Sequence, residues 1–307
     1  MSDTLPGYDG TGRNSPRWWP SRYGADDRIG SGNELTEQRT LEALRLPTRG
    51  EVIELARLIE PGIPLYAPRS WNQLLLAHES LDALRDDASE SDLGSFEEFV
   101  TQSYQIGCHL DGLGHVTIDG RFYNGTHYRD EFTPVGMREL GIENVRPWVS
   151  RGVCLDIASA LGVVQLDPGF AISSDHLEEA ANRQGVVVTA GDAVLVHTGW
   201  GQLWGVDNER YASMEPGVGW DAAHWLTDRR VSLVGADNWA FEPVPFENPR
   251  RPFVVHQHVI AETGTHILEN VNTAELAARG VSEFLFLMSP IKTSGSTASM
   301  VSPLAVI

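Results

Sequence analysis

The chain contains few cysteines and few basic residues for its length. Only two of its 307 residues are cysteines, Cys108 and Cys154, and neither lies in a CxxC motif or in the spacing of a disulfide framework. Such cysteine usage is typical of a reducing compartment, so we expect a cytoplasmic protein. The chain has 23 Lys and Arg residues against 42 Asp and Glu residues, for a formal net charge of −19. Because this charge repels phosphate backbones and anionic lipids, it argues against nucleic-acid and membrane partners.

Long apolar runs, internal repeats and low-complexity linkers are also lacking. No stretch approaches the roughly 18 apolar residues of a membrane helix. The N-terminal residues show no basic segment followed by an apolar one, so we expect no signal peptide. Hydrophobic residues make up 41% of the chain and charged residues 21%, as in folded globular proteins. We predict an extended N-terminal arm over residues 1–32, which packs by Trp18 and Trp19, and one compact domain over residues 33–307.

Helical and strand patterns alternate along the rest of the chain. The clearest helix begins at Ser173 or Ser174 as N-cap and ends at Gly185. Hydrophobic periodicity predicts further elements. The predicted helices cover residues 173–185, 221–230 and 252–264, and the predicted strands cover residues 51–60, 103–111, 191–200 and 231–239. This interleaving predicts an α/β (or α+β) fold, with mixed β-sheets and flanking helices in a single compact domain.

The stretch QIGCHLDGLGH concentrates the polar chemistry of the sequence. On a strand, residues two apart share a face, so Gln105, His109 and Asp111 would project together and Cys108 would point away. Imidazole and carboxylate on one face suit Zn²⁺ or Mn²⁺. The glycines that follow allow a bend that returns His115 towards the same face. Spacing alone leaves two alternatives open, a metal site and a hydrogen-bonded polar turn.

The same stretch resembles the signature H-x-G-T-H-x-D-x-P-x-H of the metal-dependent cyclase family, which includes bacterial kynurenine formamidase, isatin hydrolase and trans-dienelactone hydrolase. Other segments are similar to recurrent blocks of that family in the same order: RYGADDRIGSGNELT, RGVCLDIA, GDAVLVHTGWG, VGADNWAFE, HQHVIAETGTHILENVN and SPIKTSGSTASMVSPLAVI. The resemblance implies the swivelling β/β/α fold of these cyclases. The chain departs from the signature at Gln105, where the family has histidine, at Cys108, where it has threonine, and at Leu113, where it has proline.

The resemblance also implies a set of metal ligands. The later block H-x-x-L-L-x-x-x-G-I-x-x-x-E adds a histidine and a glutamate to those of the signature. The implied ligands of one divalent ion, Mn²⁺ or Zn²⁺, are Gln105, His109, Asp111, His256 and Glu269. His258, two residues after His256, competes for the histidine position. Because a neutral glutamine is a weaker ligand than imidazole, Gln105 favours one metal over two; it could also contact a water on the metal, or mark a lost metal site.

The implied activity is hydrolysis of a small cyclic ester or amide (a lactone, lactam or imide) or of a formamide by metal-activated water. His115 is the candidate general base and later proton donor, or alternatively a residue that only orients Asp111. Two other functions stay open: a cyclase or dehydratase, and a metal-binding or ligand-binding protein without turnover. The family resemblance further implies a homodimer or homotetramer, in which Trp18 and Trp19 could cover the site of a neighbouring subunit.

Three aromatic residues are candidates for the walls of a pocket for a flat ring, although each could equally be a core residue. These candidates are Trp71, Tyr123 and Trp239. An anionic substrate would also need a local cation in so acidic a chain. Arg121 and Arg129 lie near the metal motif in sequence, and the sequence does not choose between them.

Overall fold

The computed structural model describes residues 17–76 and 96–307, which contain fifteen strands and eight α-helices. The strands are β1 (Val52–Glu54), β2 (Trp71–Leu76), β3 (Glu97–Gln102), β4 (His109–Asp111), β5 (Phe132–Thr133), β6 (Gly136–Met137), β7 (Trp148–Asp156), β8 (Ala171–Ile172), β9 (Ala193–His197), β10 (Gly217–Val218), β11 (Leu233–Ala236), β12 (His266–Glu269), β13 (Glu283–Met288), β14 (Ala298–Met300) and β15 (Leu304–Val306). The α-helices are α1 (Glu37–Ala43), α2 (Tyr128–Glu131), α3 (Ile157–Ala160), α4 (Ser174–Gln184), α5 (Asn208–Ser213), α6 (Trp220–Asp228), α7 (Val254–His256) and α8 (Ala274–Ala278). A π-helix (Gln257–Glu262) continues α7, and 3-10 turns occupy Gly30–Glu34, Tyr123–Gly125, Ile142–Asn144 and Trp200–Leu203.

Nine of the strands form one mixed sheet in the order β1-β15-β13-β7-β9-β11-β12-β4-β14. The middle strands β7, β9, β11 and β12 are parallel, and the outer strands pair antiparallel. Parallel neighbours need crossover connections, and here α3 and α4, then α6, then α7 with the π-helix supply them. The result is a mixed α/β domain with a large curled sheet and flanking helices, which confirms the predicted fold class.

Both faces of the central strands are buried, which explains their nearly continuous apolar sequences. On one face, Val194 and Val196 of β9 belong to a core shared with Leu177 of α4 and Leu226 of α6. On the other face, the intervening Leu195 belongs to a second core with residues of the antiparallel strands. Among the helices of the described residues, none is long and apolar enough to cross a membrane.

The predicted helix after β8 is confirmed, and its N-cap is Ser173 rather than Ser174. The Ser173 Oγ accepts a hydrogen bond from the His176 backbone N–H at 3.3 Å, and the Ser173 backbone N–H donates to His176 Nδ1 at 3.0 Å. The helix ends at Gly185, whose φ of +68° is left-handed and costs glycine little.

Two predicted strands are shorter in the structure than the sequence indicated. Within residues 51–60, only Val52–Glu54 is a strand. Within residues 103–111, only His109–Asp111 is a strand, because the preceding strand β3 ends at Gln102. The chain bends before β4, and Gly107 adopts a left-handed φ of +54°, which an extended strand does not contain. His109 and Asp111 therefore share a strand face as predicted, whereas Gln105 lies outside β4.

The described part of the predicted arm packs on its own chain. The Tyr123 hydroxyl donates a hydrogen bond to Ser21 Oγ at 2.6 Å. The Trp19 ring lies directly on Gly125, where a Cβ atom would come within 2.5 Å of the indole. Residues 1–16 lie outside the described residues. The division into arm and domain therefore stays a prediction.

Candidate metal centre

A cross-strand pair brings together residues that are far apart in sequence. Strands β4 and β12 pair antiparallel, and their register places Glu269 directly opposite His109. Side chains at opposite positions are in contact distance, and Asp111 shares the face of His109 because it is two residues further along β4. His109 Nε2 therefore lies 3.0 Å from Glu269 Oε2 and 3.9 Å from Asp111 Oδ1. All three side chains are buried.

This cluster contains buried polar atoms that no described residue satisfies. His109 Nε2 and both carboxylate oxygens of Asp111 have no hydrogen-bond partner in the described part of the chain. His109 Nδ1 donates to the Gly107 carbonyl at 2.9 Å, which leaves Nε2 as the ring nitrogen that points into the cluster. A buried carboxylate without a partner costs several kcal/mol, which a cation would offset. One ligand atom each from His109, Asp111 and Glu269 lie within 4.8 Å of one another, which is compatible with a metal site.

His256 completes the polar side of the cluster. Its Nε2 lies 3.2 Å from Glu269 Oε1 and 4.0 Å from Asp111 Oδ2. Its Nδ1 and its backbone N–H both donate to Glu242 Oε1, at 2.8 and 3.0 Å. A carboxylate in this position fixes the tautomer and the ring orientation of a metal-binding histidine. The arrangement is that of a metal-ligand set formed by His256, Asp111 and Glu269. Glu242 orients His256 from the side of the ring that faces away from the cluster.

The charges of the cluster stabilise one another. Burial by itself would lower the pKa of His256, but hydrogen bonds with Glu242 and Glu269 raise it to about 10. Burial by itself would raise the pKa of Glu269, but His109 and His256 hold it well below its usual range. The carboxylates of the cluster therefore favour the binding of positive charge between them. A divalent cation bound there would displace the His256 Nε2 proton, since a ligating imidazole must be neutral.

The choice between His256 and His258 is decided by the π-helix that follows α7. His258 Nδ1 lies 2.7 Å from Glu262 Oε2, and its Nε2 lies 2.9 Å from Thr227 Oγ1. Its ring also lies against that of His224, with centroids 3.8 Å apart at an interplanar angle of 37°. Both nitrogens of His258 are thus engaged away from the cluster, and His256 is the histidine at the site.

His115 stands between the cluster and a cavity. The predicted bend is present, because the His115 backbone N–H donates to the Gly112 carbonyl at 3.1 Å. His115 Nε2 lies 3.8 Å from Asp111 Oδ2, and 23% of the side chain is exposed. Burial is the main effect on the pKa of His115 and lowers it; Asp111 opposes this, and the charges of His256 and Arg69 add to it. The environment therefore favours the neutral imidazole that a proton acceptor needs.

The cavity has a volume of about 370 Å³ and opens between polar and aromatic side chains. Its principal lining residues are His115, His256, Glu269, Tyr66, Trp239 and Phe253. Of the three predicted aromatic walls, only Trp239 belongs to the lining. Tyr123 is a core residue whose hydroxyl also bonds Asp27 Oδ2 at 2.8 Å, and Trp71 begins the separate β2–β3 hairpin. Tyr123 and Trp71 thus lie outside the described lining of this cavity, and their contact with a substrate stays a prediction.

The chain is similar to known proteins of one family. The Cyclase family model, described as "Putative cyclase", matches residues 53–243. The chain belongs to the Cyclase family. A solved structure of a novel cyclase has a TM-score of 0.83 and 27% identity, over 93% of this chain and 96% of that chain. No curated protein matches the sequence.

Isatin hydrolases have the same fold at lower identity. Isatin hydrolase A from Ralstonia solanacearum has a TM-score of 0.58 and 18% identity, over 83% of this chain and 91% of that chain. An isatin hydrolase bound to the product analogue thioisatinate has a TM-score of 0.62 and 16% identity, over 89% of this chain and 99% of that chain. The predicted family is therefore confirmed, and the homodimer or homotetramer expected from it stays a prediction.

Gln105, where the Cyclase signature has histidine, has a different environment from the cluster. Its Nε2 donates to Thr297 Oγ1 at 3.2 Å. It lines a small cavity of about 20 Å³ together with Arg69 and Asn270, and it is absent from the described lining of the larger cavity. Its role as a metal ligand stays a prediction.

Two residues that orient the histidines of the cluster were not predicted from the sequence. Glu242 ends the block VGADNWAFE, and Asn270 directly follows Glu269. The Asn270 side chain donates at 2.9 Å to the Gly107 carbonyl, the same oxygen that holds His109 Nδ1. The only sequence indication for Glu242 was that this acidic residue ends a block similar to one of the family. Nothing in a single sequence pairs it with a histidine on another element.

We expect Glu242→Gln to weaken metal affinity by about 10-fold, the low end for such supporting residues, because glutamine keeps an acceptor for His256 but loses the charge. Competition with a chromogenic chelator measures the affinity. Glu247→Gln is the matched control: its carboxylate accepts the Trp220 backbone N–H at 2.8 Å, outside the cluster. Equal affinities in the two variants would contradict the assignment of Glu242.

Proposed function

We propose that this protein is a metal-dependent hydrolase that opens a small cyclic ester or amide, such as a lactone, lactam or imide, or cleaves a formamide. The observation that carries the proposal is the buried Asp111 carboxylate, which accepts no hydrogen bond from a described residue and lies beside His109 and Glu269. The cavity next to it supports a small molecule as substrate. Isatin hydrolases share the fold, which supports hydrolysis of a small carbonyl compound.

The donor set fits one divalent ion, Mn²⁺ or Zn²⁺. The residues that would hold it are His109, Asp111, His256 and Glu269, with Gln105 as the further ligand predicted from the family. A divalent ion supplies water that is nucleophilic near neutral pH and polarises a carbonyl group. Glu242 and the Gly107 carbonyl accept hydrogen bonds from the Nδ1 atoms of His256 and His109, so that the Nε2 atoms would be the nitrogens available to an ion.

The proton transfers belong to His115 in this proposal. Its Nε2 faces the cavity side of Asp111, where a neutral imidazole can take a proton from the attacking water. The same nitrogen then returns the proton to the leaving oxygen or nitrogen, so that water adds across the broken bond. Trp239 offers a flat surface on which a substrate ring can stack.

Metal removal tests the proposal. The purified protein is assayed for bound metals, and its hydrolysis of a lactone, a cyclic imide and an aryl formamide is measured before and after chelation, and after addition of Mn²⁺ or Zn²⁺. We expect activity to be lost on chelation and restored by one of these ions, with ¹⁸O from labelled water in the product carboxylate or formate. Activity that survives complete metal removal contradicts the proposal. A product that contains no ¹⁸O from the labelled water indicates the cyclase or dehydratase alternative, and stoichiometric metal without turnover indicates a binding protein.

A further inference from the structure

The cavity contains one permanent positive charge that no described residue neutralises. Arg69 lines the cavity together with His115, His256 and Glu269. Across residues 17–76 and 96–307, its guanidinium makes no hydrogen bond or ion pair. It is also the only arginine or lysine among the described residues that line this cavity.

The arginines suggested by sequence proximity do not supply this charge. Arg121 donates to the Gly125 carbonyl at 2.8 Å and lies over the Trp19 ring. Arg129 is exposed, and its Nε donates to the Tyr128 hydroxyl at 3.2 Å. Neither belongs to the described lining of the cavity. Arg69 is therefore the cation available to a molecule bound beside the metal centre.

The Arg69 guanidinium lies in a region that is otherwise strongly acidic. The neighbouring centre contains the buried carboxylates of Asp111, Glu269 and Glu242, and the whole chain has a net charge of −19. Anions are repelled from such a region unless a local cation compensates. The planar donors of arginine match the two oxygens of a carboxylate and form short, charge-assisted hydrogen bonds.

The groups next to Arg69 fit a flat organic anion. Tyr66 and Trp239 stack with ring centroids 5.0 Å apart at an interplanar angle of 19°, and both line the cavity. A volume of about 370 Å³ lies near the lower end of small-molecule sites, which are roughly 300–1,000 Å³.

We infer that Arg69 binds a carboxylate group of the substrate, and that the substrate is therefore a small anionic ring compound or an anionic formamide. This inference rests on the hydrolase function proposed above. Arg69 acts at a distance from the scissile bond, so it contributes mainly to binding and to the choice between anionic and neutral compounds.

Binding of benzoate and its neutral analogue benzamide tests the inference. Titration calorimetry is carried out on wild type, Arg69→Gln and Arg69→Lys, all at the same measured metal content. We expect wild type to bind benzoate at least about 10-fold more tightly than benzamide, and Arg69→Gln to weaken benzoate by about 10- to 100-fold while benzamide is unchanged. Arg69→Lys should retain part of the preference, since lysine keeps the charge but loses the planar pair of donors. Arg129→Gln removes an exposed arginine as the matched control and should bind both probes as wild type does.

Benzoate is not hydrolysed, so this result does not depend on turnover. Wild-type protein without a preference for benzoate, or an Arg69→Gln variant that binds it normally, would overturn the inference while leaving the hydrolase proposal intact. Failure of the hydrolase proposal would instead appear as hydrolysis that survives chelation, or as no hydrolysis of any tested compound. Where hydrolysis is found, Arg69→Gln should raise KM for carboxylate-bearing compounds with little change in kcat, and leave their neutral amides unaffected.

Discussion

Replacing Asp111 with Asn is expected to abolish metal binding and activity while leaving the metal-free protein at least as stable as wild type. Neither oxygen of Asp111 has a hydrogen-bond partner in the described part of the chain, and the side chain is buried. Removal of a buried charge that accepts no hydrogen bond relieves a desolvation cost in the metal-free state, and we expect this gain to offset the loss of its attraction to the histidines 3.8–4.0 Å away. The same charge is required in the metal-bound state. Wild type should therefore gain about 4 kcal/mol from a metal concentration near 1,000 times Kd, and the variant should gain nothing.

Denaturant unfolding with and without metal measures both effects. Asp237→Asn is the matched control, because Asp237 is equally buried but well partnered: its Oδ1 accepts from the backbone N–H and the hydroxyl of Thr198, at 2.9 and 2.6 Å. Asp237→Asn should lose about 1–3 kcal/mol of unfolding free energy, the opposite sign to Asp111→Asn. A strongly destabilised metal-free Asp111→Asn that still gains stability from metal would refute the assignment.

Replacing His115 with Ala is expected to lower kcat by about 10²- to 10⁴-fold, the usual contribution of a general acid–base residue, with metal content unchanged. His115 lines the cavity and lies 3.8 Å from Asp111, while the cluster proposed to hold the metal consists of His109, His256 and the two carboxylates. Loss of the imidazole therefore removes proton transfer and leaves the metal site. Steady-state kinetics and metal analysis on the same preparation measure the two quantities.

The control separates this role from simple orientation of Asp111. If His115 only orients Asp111, the variant should bind metal weakly and regain kcat in excess metal. His127→Ala removes a histidine outside the described cavity lining, where its Nδ1 accepts the Arg129 backbone N–H at 3.2 Å, and should retain normal kcat. Near-normal turnover of His115→Ala at full metal occupancy would assign the proton transfer to another group.

Local patterns in the sequence determined several features directly. The alternation of a strand places His109 and Asp111 on one face, and this holds because β4, although only three residues long, spans both. The cap at Ser173 and the left-handed Gly185 bound their helix for reasons that act within a few residues. The ordered motifs indicated the Cyclase family, and with it the class of fold. Each of these features depends on neighbours in the chain.

The tertiary structure decided the features that depend on contacts between segments far apart in sequence. The register of β4 against β12 brings Glu269 to His109, and Glu242 supports His256 from another segment. The left-handed Gly107 removed Gln105 from the predicted strand face, and the π-helix turned His258 away. Arg69 entered the site because the fold brings its segment to the cavity. Sequence alone thus determined residue types and local geometry; strand register, the helix turn and burial decided which of those residues meet, because contacts between distant segments form only when the sheet does.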